Sequence, residues 1–142
     1  MAKKTPDTPE SITADDLRDK LAAQVDESVE KGARALVGGK TPDRKGAYYP
    51  ATVLVDVKPG QPAYDDELFG PVAALWKVSS LTQAIDRAND SPFGLGSAIF
   101  TQEKTEIEQA VQDLEAGSTF VNAKVASDPR LPFGGIKSSG YG

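Results

Sequence analysis

Residues 73–121 read AALWKVSSLTQAIDRANDSPFGLGSAIFTQEKTEIEQAVQDLEAGSTFV. Apolar runs and helical periods alternate along this stretch. AALWKV (73–78) reads as a strand. In Leu81–Asn89, the residues Leu81, Ala84, Ile85 and Ala88 share one face of a helix. Ser91-Pro92 breaks that helix, and LGSAIF (95–100) follows as a strand of small residues. Residues 103–114 predict a second helix with Ile107, Ala110, Val111 and Leu114 turned inward, closed by Gly117. STFV (118–121) is again a strand. The order strand, helix, strand, helix, strand predicts an α/β layer with at least three strands in parallel pairing, since parallel neighbours need a crossover and a helix supplies it.

The flanking segments extend this frame. Residues 1–12 hold two prolines and few apolar groups, and are expected to form a flexible leader. Thr13 has the character of an N-cap, with Asp16 at the third helical position. Leu17, Leu21, Val25 and Val29 then recur every four residues as one apolar stripe. Gly32 ends that helix. Arg34–Val37 is a short strand candidate, and YPATVLVDV (49–57) is a β-branched run in which Pro50 marks an edge or a strand start. Residues 122–142 read as loop. The expected organisation is a leader over 1–12 and one partial domain over 13–142.

Composition narrows the function. With 142 residues, 39% apolar and 26% charged, the chain is long enough for one packed domain. Its 21 acids against 16 bases give a net charge of −5, the wrong sign for general nucleic-acid binding. No apolar run approaches a membrane span, and the N-terminus lacks the apolar core of a signal peptide, so the expected location is the cytoplasm. There is no cysteine and no histidine. The chain by itself therefore has no thiol nucleophile, no imidazole base and no thiolate or imidazole metal site. GLG (94–96) lacks the third glycine of a dinucleotide fingerprint, and GGIKSSG (134–140) lacks P-loop spacing.

The most unusual local chemistry is DDELFGPV (65–72): three carboxylates, then a phenylalanine and a Gly-Pro turn. On the residues alone, two readings stand. One is a solvated acidic loop whose Phe69 plugs the core. The other is a ligand wall, in which a carboxylate accepts hydroxyl hydrogen bonds and an aromatic ring offers a flat apolar face.

Five stretches occur in a set order: GGKTPDRKGAYYPATVLVDV (38–57), DDELFGPV (65–72), AIDRANDSPFGLGSAIFT (84–101), LEAGSTFVN (114–122) and LPFGGIKSSGYG (131–142). Together they resemble the C-terminal part of the catalytic domain of the aldehyde dehydrogenase superfamily, with the succinate-semialdehyde dehydrogenase branch nearest in look. The resemblance runs from about Ala14 to the last residue. It implies an α/β fold with a mostly parallel sheet and flanking helices, forming part of that domain. It also implies NAD or NADP as cofactor in the complete enzyme, which oxidises an aldehyde to a carboxylate.

By that resemblance, Glu67 binds the ribose hydroxyls on the nicotinamide side and Phe69 packs near the nicotinamide ring. Asp65 and Asp66 are read as solvated. Asn122, Ser127, Arg130 and Phe133 are candidates for the substrate tunnel. Arg130 is placed either as a bidentate partner of the substrate's distal carboxylate or as a surface arginine. Phe133 either contacts ligand or packs in a turn. The family's nucleophilic cysteine, general-base glutamate and most of the dinucleotide domain belong to segments upstream of those matched here. The chain alone is thus expected to be inactive and to bind NAD or NADP weakly or not at all. Its expected partners are an aldehyde in the complete enzyme, and a second copy or a complementary chain. The alternatives are a non-catalytic binding or scaffold module, or one half of a split enzyme.

Overall fold

The computed structural model describes residues 12–141. The leader expected over residues 1–12 therefore lies, apart from Ile12, outside the described residues. The chain divides into two compact units after Trp76, and each is described by itself.

The first unit opens with helix α1 (Ala14–Glu30). Thr13 caps it as the sequence requires: its hydroxyl accepts from the Asp16 N–H at 3.2 Å, and the Asp16 carboxylate accepts from the Thr13 N–H at 2.8 Å. This reciprocal box satisfies donors that the first turn leaves without intrahelical partners. The buried face differs from the expected stripe. Leu21 and Val25 are buried, but Leu17 and Val29 are exposed, and the remaining buried positions are Gln24 and Ser28. Positions 21, 24, 25 and 28 follow the helical repeat more closely than a strict spacing of four.

Strands β1 (Arg34–Val37), β2 (Thr52–Val55) and β3 (Val72–Ala74) form a sheet in that order. β1 runs antiparallel to β2, with a bulge between Ala35 and Val37, and β2 runs parallel to β3. Pro50 thus marks a strand start rather than an edge, because β2 is the middle strand. The strand expected over 73–78 stops early because its neighbouring strand turns away. Asp56 takes a left-handed φ of 59°, held by Arg34, whose Nε lies 3.1 Å from Oδ2. β2 turns away there, and the Leu75 N–H to Leu54 carbonyl bond is the last rung. The core packs Val25, Ala33, Leu54, Val57 and Ala63, with Tyr49, Tyr64, Leu68, Val72 and Ala74 against it. Helix α2 (Pro62–Asp65) is a single turn, begun by a proline whose missing N–H costs nothing there.

In the second unit, α3 (Leu81–Asn89) is capped by Ser80. It is followed by β4 (Phe93–Gly94), β5 (Gly96–Ile99), α4 (Lys104–Asp113), β6 (Ser118–Val121) and β7 (Ile136–Lys137). β5 and β6 pair in parallel from Gly96↔Ser118 to Ile99↔Val121, with α4 as the crossover. β4 pairs antiparallel with β7, a short strand in the segment read as loop. Of the three parallel strands expected between residues 73 and 121, only β5 and β6 pair with each other; β3 is parallel to β2, which lies outside that stretch, and β4 is antiparallel to β7. On α4, Ala110 is buried whereas Val111, expected inward, is 52% exposed. Gly117 permits a backbone-to-backbone approach: its N–H donates to the Gly94 carbonyl at 3.0 Å, and a Cβ there would strike the Gly134 carbonyl.

Two outcomes follow from the first unit. A Cβ on Gly70 would run into Cδ2 of Leu21, a side chain that is 2% exposed and has nowhere to move. Gly70→Ala should cost about 1–3 kcal/mol as overpacking. In chemical denaturation, the double variant with Leu21→Ala should be less destabilised than the sum of the two single changes. Thr13→Ala should cost about 1 kcal/mol, the usual worth of a threonine cap. Bonding to Thr13 holds the Asp16 carboxyl below the ordinary aspartate range. Its folded pKa thus lies under its unfolded one, so this contribution is present above the unfolded pKa and fades as pH falls through the folded one. The stability gap between the parent chain and Thr13→Ala should narrow on acidification, and a gap that widens would contradict the box.

Candidate functional site

The acidic turn of the first unit sorts its three carboxylates into different tasks. Asp65 closes the end of α2 back onto the preceding turn, accepting from the Gly60 N–H at 2.8 Å. Asp66 accepts from the side-chain amide of Gln24 on α1 at 3.3 Å, and the same amide reaches the Glu67 carbonyl at 3.4 Å. Both aspartates are exposed, as expected, yet both are engaged. The Glu67 carboxylate is also exposed, and among the described residues no hydrogen bond or ion pair engages it.

Leu68 then turns into the core, and tight bonds from Gly70 N–H to the Leu68 carbonyl (2.9 Å) and from Val72 N–H to the Gly70 carbonyl (2.8 Å) close the bend. Phe69 projects from it at 72% exposure, so it does not plug the core. The turn is fixed from beneath while one carboxylate and one aromatic ring stand outward, on either side of the inward Leu68. A carboxylate has enough acceptor sites for both hydroxyls of a diol, and an exposed ring is an apolar wall.

In the second unit, Asn122 sits at the end of β6 with a φ of 52°. Its side chain is spent on the backbone: Oδ1 accepts from the Thr101 N–H at 3.0 Å and Nδ2 donates to the Thr101 carbonyl at 2.9 Å. Its own N–H donates to the Ile99 carbonyl. Asn122 is thus a clasp that extends the β5–β6 pairing beyond its last rung. Ser127 is exposed on the loop that follows. Arg130 forks onto Asp128, with Nε to Oδ1 at 2.9 Å and Nη2 to Oδ2 at 2.6 Å. The pairing lowers the Asp128 pKa and raises that of Arg130. Phe133 is 51% exposed.

Ser127, Arg130 and Phe133 therefore share one loop, and Asn122 stands at its root. Sequence reasoning missed Asp128, although the two-residue spacing to Arg130 in DPR was available. It also missed Gln24, whose signal was a polar residue on the helical face of Leu21 and Val25. Among the described residues no cluster of three acidic, histidine or cysteine side chains could hold a metal ion, and no helix is long and apolar enough to cross a membrane.

Comparisons with known proteins bear on the family and the fold. The profile of the aldehyde dehydrogenase family matches residues 7–142. An aldehyde dehydrogenase of Paenarthrobacter nicotinovorans is 52% identical over 113 residues, covering 80% of this chain and 25% of that protein. The succinate semialdehyde dehydrogenase [NAD(P)+] of Escherichia coli is 46% identical over 127 residues, covering 89% of this chain and 28% of that protein. The crystal structure of succinic semialdehyde dehydrogenase from Streptococcus pyogenes in complex with NADP+ superimposes with a TM-score of 0.85 at 36% identity, covering 95% of this chain and 30% of that one. The chain spans about a quarter of the length of the curated relatives it matches. It belongs to the aldehyde dehydrogenase family, of which it forms part of the α/β catalytic fold.

Proposed function

We propose that this chain supplies the nicotinamide-side wall of an NAD(P)-dependent aldehyde dehydrogenase that oxidises succinate semialdehyde. The observation that carries the reading is the outward, unpaired Glu67 carboxylate two residues before the exposed Phe69 on a turn anchored from below. Glu67 accepts hydrogen bonds from the two ribose hydroxyls, and charged acceptors make the stronger bonds. Phe69 walls one side of the nicotinamide ring and keeps water from it. When bound, NAD(P)+ supplies the hydride acceptor. The names of the relatives in Escherichia coli and Streptococcus pyogenes support the substrate and the cofactor class.

The loop of Ser127, Arg130 and Phe133 faces the substrate in this reading. Arg130 exchanges its fork from Asp128 to the distal carboxylate of the semialdehyde, a swap between two planar bidentate partners. Asn122 holds the root of the loop. The thiol nucleophile comes from elsewhere, because this sequence has no cysteine. We assign the protein to the cytoplasm.

Purified chain, free of host dehydrogenase, should form no NADH or NADPH from succinate semialdehyde above a control without protein. In calorimetry it should bind NAD or NADP far more weakly than micromolar. Adenine and pyrophosphate contacts supply most of the affinity of a complete site, and losing them costs on the order of a thousandfold. Micromolar binding would show that the cofactor wall has been misplaced.

Leu36 and Val37 on β1 in the first unit, and Phe100 and Val111 in the second, are exposed apolar side chains. Such surface is usually covered by a partner, and we propose a second copy or a complementary chain. Light scattering should show mass above that of a monomer as concentration rises, and a strictly monomeric profile would count against this.

A further inference from the structure

We propose that Gln24 is a positioning residue for the Glu67 carboxylate, an inference that rests on the reading of Glu67 as the ribose acceptor. Gln24 lies on the buried face of α1 between Leu21 and Val25 and is only 9% exposed. A buried primary amide must find partners or pay heavily in lost hydration. Its Nε2 finds two in the acidic turn: the Asp66 carboxylate at 3.3 Å and the Glu67 carbonyl at 3.4 Å. The two N–H hydrogens of the amide allow one bond to each acceptor.

The base from which Gln24 reaches is itself fixed. Its carbonyl accepts from the Ser28 hydroxyl at 2.7 Å, and that hydroxyl in turn accepts from the Ala63 N–H at 2.9 Å. The helix is therefore pinned to α2 on one side and to the acidic turn on the other.

The consequence for Glu67 is directional. With its carbonyl held inward by Gln24 and the next residue, Leu68, packed against the core, its side chain is left pointing outward. The bond to Asp66 also commits the neighbouring carboxylate, which would otherwise compete for the same ligand hydroxyls. Gln24 touches no cofactor in this account. It sets where the acceptor stands, and the gain is preorganisation.

The test uses nicotinamide mononucleotide, which carries the nicotinamide and its ribose without the adenine half. It is titrated by ¹H–¹⁵N NMR, which reads millimolar binding, onto the parent chain, Gln24→Met and Glu67→Ala. Gln24→Met keeps the length of the side chain and removes the donor.

The parent chain should show shifts centred on residues 65–70, and Glu67→Ala should lose them. Gln24→Met should weaken the mononucleotide by about three- to tenfold, the worth of one or two ordinary hydrogen bonds. The resonances of Val25, Leu54 and Val57 and the thermal midpoint should stay near parent values, which a general loss of packing would not allow. If Gln24→Met does not fold, Gln24→Leu, which removes the donor without adding a charge, makes the same comparison.

Undiminished affinity in a folded Gln24 variant, with affinity lost in Glu67→Ala, overturns the inference and leaves the role of Glu67 standing. Undiminished affinity in Glu67→Ala, or no shifts at residues 65–70 of the parent chain, removes that role and this inference with it.

Discussion

A single buried hydroxyl governs the geometry of the first unit. Ser28 is fully enclosed, yet its oxygen both donates to the Gln24 carbonyl and accepts from the Ala63 N–H. Helix α2 is one turn long and could not hold its own position by helical propensity. Its place comes from this bond and from Gln61, whose amide accepts from the Lys58 N–H and donates to the Lys31 carbonyl, each at 2.9 Å. The unit thus docks a short element through satisfied polar atoms inside an apolar core, where unsatisfied ones would be costly. The acidic turn inherits its precision from α2, because the Asp66 N–H donates to the Pro62 carbonyl and so continues the helical turn.

Much of this architecture was legible in the sequence. The cap at Thr13, the bounds of Leu81–Asn89 and the strand Ser118–Val121 were read directly, because capping chemistry and helical period act over a few residues. What was not legible depends on distant partners. The early end of β3 follows from the left-handed turn at Asp56, which no pattern within residues 73–78 announces. β7 is two residues long and exists because β4 lies beside it. Val111 and Val29 carry the right character for a core but lie where, among the described residues, no neighbour buries them.

The candidate site was legible in outline and not in its supports. DDELFGPV marks itself by putting acids against an aromatic and a Gly-Pro turn. Nothing local says that two of those acids are occupied and one stands out; that division follows from Gly60 and Gln24. Asn122 shows the opposite case. Its place at a strand end suggested a ligand contact, whereas its amide copies a backbone pair and lengthens the parallel ladder. Asparagine tolerates the left-handed backbone there better than most residues, which accounts for its presence without any substrate.

Lys137 carries a consequence for the order of folding. Its ammonium donates to the carbonyls of Asn89 and Ser91 and pairs with Glu115 at 2.6 Å. The first two bonds span 48 and 46 residues of chain, while Asn89 reaches the end of α4 across 24–26. Closing the longer loop costs more entropy, and its reward comes only once the shorter partners are in place. The α3–α4 corner thus closes over about half the chain that the contacts of Lys137 enclose. The far end of the 122–135 loop, which bears Arg130 and Phe133, is tied down by Lys137 together with the β4–β7 pairing and the Ser138 N–H bond to the Pro92 carbonyl, all of them contacts across more than 40 residues, so the loop depends on the longest closures of the unit.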